Sequence, residues 1–252
     1  MKQLLLILLS IFILTTTTLA IEGPLITFRF DDSGVPTFRY ARPILKAYGY
    51  VGVYFQPVYK INTEGSIKWW QLKTLYNEGW EIGAHGYDLH CDYRKLPLDE
   101  VDRQMRLAKE AYQRKGFKVV SYASPQGYYN EDVLSVVKQY FSIHAGTRPY
   151  GLNTYPWSRW ESVCGGEKAV TNPFRKAPTV IHSDTPLNVV LDWIDQAKSE
   201  NSWLILHIHT LVKGEPTAWA QVNIDYFKTI VEYVYNSNIP VVTYSEALVG
   251  EP

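Results

Sequence analysis

Leu25-Ile26-Thr27-Phe28-Arg29-Phe30-Asp31-Asp32 is an apolar, β-branched and aromatic run that ends abruptly in two adjacent carboxylates. Such a run is expected to be a buried strand of a parallel sheet, with Asp31 and Asp32 delivered into a cavity at its C-terminal end. Ionising both acids there is costly unless a metal or another cation absorbs the charge. The bland alternative is a polar turn over Asp31–Gly34, since Asp, Ser and Gly are turn formers. A second stretch shifts the balance: Glu81–His90, EIGAHGYDLH, is a short strand running into two histidines. A carboxylate with two imidazoles suits zinc or a similar divalent ion, with positions left open for water and substrate.

The chain has 252 residues, 46% of them hydrophobic and 14% aromatic, which is enough for one sizeable core and is an ordinary length for a single α/β barrel. Lysine plus arginine equals aspartate plus glutamate, at 25 each, so no basic excess points to nucleic acid or to an anionic membrane surface. The 19 tyrosines and 8 tryptophans supply faces on which sugar rings stack, although most are expected in the core. Met1-Lys2, the apolar Leu4–Leu14 and the small-residue end at Ala20 form a secretory signal pattern, too short for a comfortable membrane span. Residues 1–20 are therefore expected to be cleaved as a signal peptide. Residues 21–252 are then one domain, secreted or otherwise extracytoplasmic, with no stable membrane insertion and taken as a monomer. In an oxidising compartment Cys91 and Cys164 are free to pair, or Cys91 stays a buried thiol beside His90.

Helical spacing places a helix from about Ala41 to Gly49, another over Trp69–Gly79, and the clearest one from Pro97 to about Arg114. Further helices are expected over Asp132–Tyr140, Pro186–Ser199 and Val222–Asn236. Strands are expected over Val51–Gln56, Trp80–Ala84, Lys118–Ala123, Phe141–Ala145, Val180–His182, Trp203–His209 and Ile239–Thr243, with a closing turn over Ser245–Val249. Gly146–Pro178 shows no clear period, and loops of that length are usually functional or poorly ordered. The alternation implies a parallel sheet with right-handed crossovers, closed or nearly closed into a barrel. Asp31, Asp32, His85, Ser124, Gln126 and His209 all fall at or just after strand ends, the catalytic face of a barrel. No glycine-rich phosphate loop follows the first strand, which argues against a dinucleotide-binding sheet.

These residues resemble the polysaccharide deacetylases, the carbohydrate esterase family 4 or NodB-homology group. Phe30-Asp31-Asp32 matches the family's Thr-Phe-Asp-Asp, with Arg29 at the threonine position. His85-Gly86-Tyr87-Asp88-Leu89-His90 matches its paired-histidine motif with one extra residue, and the Pro-x-Leu that follows has a counterpart only at Pro97. The Arg-Pro-Pro-Tyr-Gly motif is reduced to Ala123-Ser124-Pro125-Gln126-Gly127, so the arginine that holds the catalytic aspartate is missing. Arg29, on the face of Asp31 by the period of two, or Arg148 is the candidate replacement. The family's Leu-x-His motif has two candidates on one strand face, His207 and His209, and the resemblance to family sequences with a comparable tryptophan, counted from Trp203, implies His209.

The resemblance implies a distorted single-domain (β/α) barrel of about seven parallel strands that removes acetyl groups from a carbohydrate polymer or oligosaccharide, with N-acetyl expected and ester-linked acetyl as the alternative. It implies Asp32, His85 and His90 as ligands of one divalent metal, zinc by ligand type, with cobalt, manganese or nickel as alternatives. Asp31 is then the general base and His209 the acid, with Asp184 as its orienting partner; Gln126 and Gly127 serve the oxyanion and substrate. Tyr128, Tyr129, Tyr150, Tyr155, Trp157 and Trp160 either line a glycan groove or pack over the barrel mouth. Two alternatives stay open: a catalytically silent glycan-binding barrel, and a metal-dependent amidohydrolase of a non-sugar amide.

Overall fold

A computed structural model describes residues 23–146 and 179–249. The expected leader, Arg148, Tyr150, Tyr155, Trp157, Trp160 and Cys164, and with it any pairing of Cys91, lie outside the described residues.

β1, Leu25–Asp31, is buried along its whole length and lies near the middle of the sheet. Around it stand β2 (Val53–Gln56), β3 (Glu81–Ala84), β4 (Ser121–Tyr122), β5 (Ile143–His144), β6 (Thr179–Val180) and β7 (Trp203–Ile208), in the order β5-β4-β3-β2-β1-β7-β6. Every ladder is parallel: β7 pairs with β1 from Leu25↔Trp203 to Phe30↔Ile208, and β2 joins its other edge from Arg29↔Val53. This is the expected curled (β/α) barrel. Among the described residues no ladder joins β5 to β6, so the curl is open on that side.

Helices fill the crossovers: α1 (Arg42–Ala47), α2 (Trp69–Asn77), α3 (Leu98–Arg114), α4 (Glu131–Tyr140), α5 (Leu187–Ser199), α6 (Ile224–Ser237) and α7 (Tyr244–Val249). The pleat of β1 divides the core in two. Ile26, Phe28 and Phe30 face the helices, with Phe28 and Phe30 both set edge-on to Phe227 of α6. Leu25 faces the inside of the curl with Phe55, Trp203, Ile205 and Tyr244. Thr27 points inward as well, donating to the Val242 carbonyl at 2.6 Å and accepting from Trp203 Nε1 at 2.9 Å. Arg29 and Asp31 continue this inner row, which is what puts charge at the top of the barrel.

Several elements differ from the sequence expectation, among them β4 and β5, each two residues long where Lys118–Ala123 and Phe141–Ala145 are expected. A π-helical turn, Thr37–Ala41, precedes α1. Ile239–Thr243 contributes a single bridge, Val241 to Ile26, because β2 takes the same edge of β1 from Arg29 onward; the expected closing turn is instead helix α7. β7 stops at Ile208, and a short parallel pair, β8 (Thr210–Val212) with β9 (Gln221–Asn223), follows it.

Gly83 lets β3 pass under Phe55. A Cβ there would run into the Phe55 ring and stand 2.8 Å from Ser121 Oγ, both buried. Gly83→Ala is therefore expected to lower the unfolding free energy by about 1–3 kcal/mol through overpacking, measured by urea denaturation.

Candidate metal centre

The chain bends at Asp32, which adopts φ 55° directly after the last residue of β1. Asp tolerates this left-handed conformation better than most residues, and here it separates the environments of the two acids. Asp31 points into the barrel and is gripped by Arg29 at two points, Nε to Oδ1 at 2.8 Å and Nη2 to Oδ2 at 2.5 Å. The Arg29 guanidinium is almost fully buried, donates to the Gly146 carbonyl at 3.2 Å and lies over the Phe55 ring. Burial alone would push the Asp31 carboxyl up. The Arg29 charge, helped by His207, outweighs it and holds Asp31 well below the usual carboxylate range.

Asp32 faces a different set. Its Oδ2 lies 3.5 Å from His85 Nε2 and 3.1 Å from His90 Nε2, and its Oδ1 accepts from Lys60 Nζ at 3.0 Å. One donor atom from each of Asp32, His85 and His90 lies within 4.8 Å of the others. His85 stands at the end of β3, with Nδ1 2.8 Å from the Ala123 carbonyl. A carbonyl only accepts, so Nδ1 carries a proton, and Nε2, on the Asp32 side, is the ring nitrogen available to a metal. Nε2 of His90 is buried and in no hydrogen-bonding alignment. Two imidazole nitrogens and a carboxylate oxygen converging in this way fit a divalent ion with open positions.

The stretched histidine spacing has a structural cause that the sequence did not reveal. Gln104 of α3 offers one oxygen to three successive N–H groups, those of Tyr87, Asp88 and Leu89, at 3.0, 3.1 and 3.3 Å. Tyr93 adds its hydroxyl to the same oxygen and to the Leu89 carbonyl. Gly86, at φ 92°, starts the excursion, since a Cβ would stand 2.5 Å from the Tyr93 hydroxyl. Asp88 turns away from the centre to Arg103, at 2.8 Å.

The remaining expected residues are distributed as follows. His207 Nε2 lies 3.3 Å from Asp31 Oδ2. The His209 ring lies 4.5 Å from that of His207, tilted by 31°, and is edge-on to the exposed Trp219 at 5.1 Å. Burial holds His209 neutral, with its pKa pulled down to about 3. Asp184 does not orient His209: it is exposed, and the imidazole it acts on is His182. Gln126, at φ 57°, donates its side-chain amide to the His90 carbonyl at 3.3 Å. The Gly127 N–H is spent on the Ser124 carbonyl at 2.9 Å, which closes the turn and removes it as an oxyanion donor. Lys60 was not singled out from sequence; a lone lysine in a loop carries no signal.

A model of the polysaccharide deacetylase family matches residues 20–141, a span that holds Asp31, Asp32, His85, His90 and Gln126. Among curated proteins, comparison with the chain finds no match. Among solved structures the fold is similar to the chitin deacetylase of the fungal pathogen Colletotrichum lindemuthianum, at TM-score 0.64 and 15% identity, covering 92% of this chain and 91% of that one. It is similar to the Xyl-CE4 domain of a multidomain xylanase from the hindgut metagenome of Trinervitermes trinervoides, at TM-score 0.55 and 16% identity, covering 89% of each chain. It is also similar to a CE4 family pseudoenzyme from Bacillus anthracis, at TM-score 0.58 and 12% identity; there the match covers 89% of this chain and 65% of the other.

Arg29→Met leaves the buried Asp31 carboxylate without its guanidinium, and is expected to cost about 3–5 kcal/mol in urea unfolding, with Arg29→Lys losing less. The His209 pKa falls from 6.5 to about 3 on folding, so between those values the unfolded chain takes up a proton that the folded chain refuses. Stability therefore drops as pH falls through that window. His209→Phe is expected to remove up to about 2 kcal/mol of the loss between pH 7 and pH 4.5, read from unfolding curves at the two pH values.

Proposed function

We propose that this chain, a member of the polysaccharide deacetylase family, is a metal-dependent hydrolase that releases acetate from an acetylated glycan, with N-acetyl groups as the first substrates to test. The observation that carries this is the convergence of Asp32, His85 and His90 beside an acid, Asp31, that has its own cation. Asp32 Oδ2 and the two Nε2 atoms would hold the ion. A divalent ion held there polarises the acetyl carbonyl and acidifies the attacking water, with zinc the best match to the donor set.

The chain's own groups account for the proton path. Water adds its oxygen to the carbonyl carbon, and Asp31 takes the proton that this water sheds. Asp31 Oδ2 stands 3.3 Å from His207 Nε2 without a hydrogen bond between them, so His207 is placed to take that proton once the two align and to hand it to the leaving nitrogen as the C–N bond breaks. Burial lowers both imidazoles, but at His207 the Asp31 carboxylate offsets part of that effect, whereas His209 falls to about 3, so His207 is the better carrier. Arg29 takes the place of the family's missing arginine and keeps Asp31 aimed. The N–H of Gln126, in a turn tied to the His90 carbonyl, is the protein donor for the oxyanion. No described helix is long and apolar enough to cross a membrane. With the signal-like Met1–Ala20, a site of action outside the cytoplasm is the accompanying proposal.

One observation favours a second reading, a silent glycan-binding barrel: the Lys60 ammonium occupies one oxygen of Asp32. Acetate release separates the two. N-acetylglucosamine oligomers and acetylated xylan are incubated with chelated protein, with and without added zinc. Zinc-dependent release, reduced at least about 100-fold in Asp31→Asn and Asp32→Asn, is expected. No release from any substrate, with glycan binding retained, would establish the silent barrel instead.

A further inference from the structure

Asp32 divides its two oxygens. Oδ2 faces the Nε2 atoms of His85 and His90, while Oδ1 accepts from Lys60 Nζ at 3.0 Å. Lys60 ends a one-turn 3-10 helix, Val58–Lys60, in the loop after β2. Backbone hydrogen bonds fasten this turn to the histidine loop: the Val58 N–H donates to the Gly86 carbonyl at 3.1 Å, and the Tyr59 N–H to the Tyr87 carbonyl at 2.9 Å. The Thr63 hydroxyl donates to the Lys60 carbonyl at 2.6 Å from the other side. Lys60 is thus placed by the same framework that places His85 and His90, and its side chain is only 33% exposed.

A charge count gives this placement its meaning. Arg29 answers Asp31 and Lys60 answers Asp32, so each acid of the pair already has a resident cation. A divalent ion entering between Asp32 and the histidines would meet a carboxylate whose charge is already matched. We propose that Lys60 is the built-in counter-cation of the metal centre. It is a positioning residue that keeps Asp32 turned toward the histidines in the metal-free chain and, by sharing that carboxylate, weakens the grip on the divalent ion. This rests on Asp32, His85 and His90 being metal ligands.

Partners of a ligating carboxylate commonly change metal affinity by about 10–100-fold when replaced. Here the sign follows from charge: ammonium and metal ion draw on one carboxylate, so removing the ammonium tightens metal binding. Zinc alone is titrated calorimetrically into the metal-stripped full chain. Lys60→Met and Lys60→Gln are expected to bind about tenfold more tightly than the parent, while Lys60→Arg, which keeps the charge, stays within about threefold of it. The metal-free Lys60→Met protein should also melt lower than the metal-free parent, with the gap closed by zinc. A merely structural lysine would weaken zinc binding in every variant.

The outcomes separate the proposal from the reading it rests on. Zinc binding by the parent that Asp32→Asn abolishes, with unchanged or weaker binding in Lys60→Met and Lys60→Gln, overturns the role of Lys60 and leaves the metal centre standing. No zinc uptake by the parent or by either neutral variant overturns both. Uptake by the neutral variants but not by the parent supports the proposal in its strongest form.

Discussion

The two-point ion pair between Arg29 and Asp31 is the constraint around which the upper barrel is arranged. Both side chains sit on one face of the central strand, two residues apart, inside the curl. Burying either alone would be costly, because desolvation of an unpaired charge outweighs what a single dipole returns. Together they present Asp31 as an anion with little freedom to rotate, since both of its oxygens are engaged. The rest of the inner layer accommodates this pair: Phe55 lies under the guanidinium, Gly146 offers it a carbonyl, and His207 from the neighbouring strand meets the carboxylate. The register of β1 with β7 sets Arg29 opposite His207, so one strand pairing places all three groups.

The two adjacent acids divide their work because the backbone changes direction between them. In a continuing strand Asp32 would point to the helix layer with Phe28 and Phe30. The left-handed turn at Asp32 sends its carboxylate instead to the histidines and Lys60. Like charges on neighbouring residues are then kept apart by having separate partners, and neither acid has to be protonated to be buried.

Much of this was legible from residue order. An unbroken apolar run ending in acids located the central strand, the three-and-four spacing of Val101, Met105, Ala108 and Tyr112 located α3, and the period of two put Arg29 beside Asp31. What could not be read depends on contacts distant in sequence. Gln104 is a polar residue on an otherwise clear apolar helix face, and nothing local announces that its amide oxygen gathers three N–H groups of the histidine loop. Lys60 and the short β8–β9 pair belong to the same class. The last strand was overestimated because Ile239, Val241 and Val242 have the preference for a strand but find most of the edge already taken by β2.

The missing motif arginine illustrates the same point in reverse. A position-by-position comparison registers Ser124-Pro125-Gln126 as a loss, because the guanidinium is absent from the loop after β4. The carboxylate, however, responds to charge and donor geometry and not to the chain segment that supplies them. A guanidinium on β1 itself reaches Asp31 through both its oxygens, and it has the advantage of rigidity, because its backbone is paired on both edges at Arg29. In this chain the loop after β4 makes other contacts. Ser124 there hydrogen-bonds His144 at 2.8 Å, and Gln126 reaches the His90 carbonyl, so the loop ties β5 and the histidine segment together where the family motif would have spent its arginine on the aspartate.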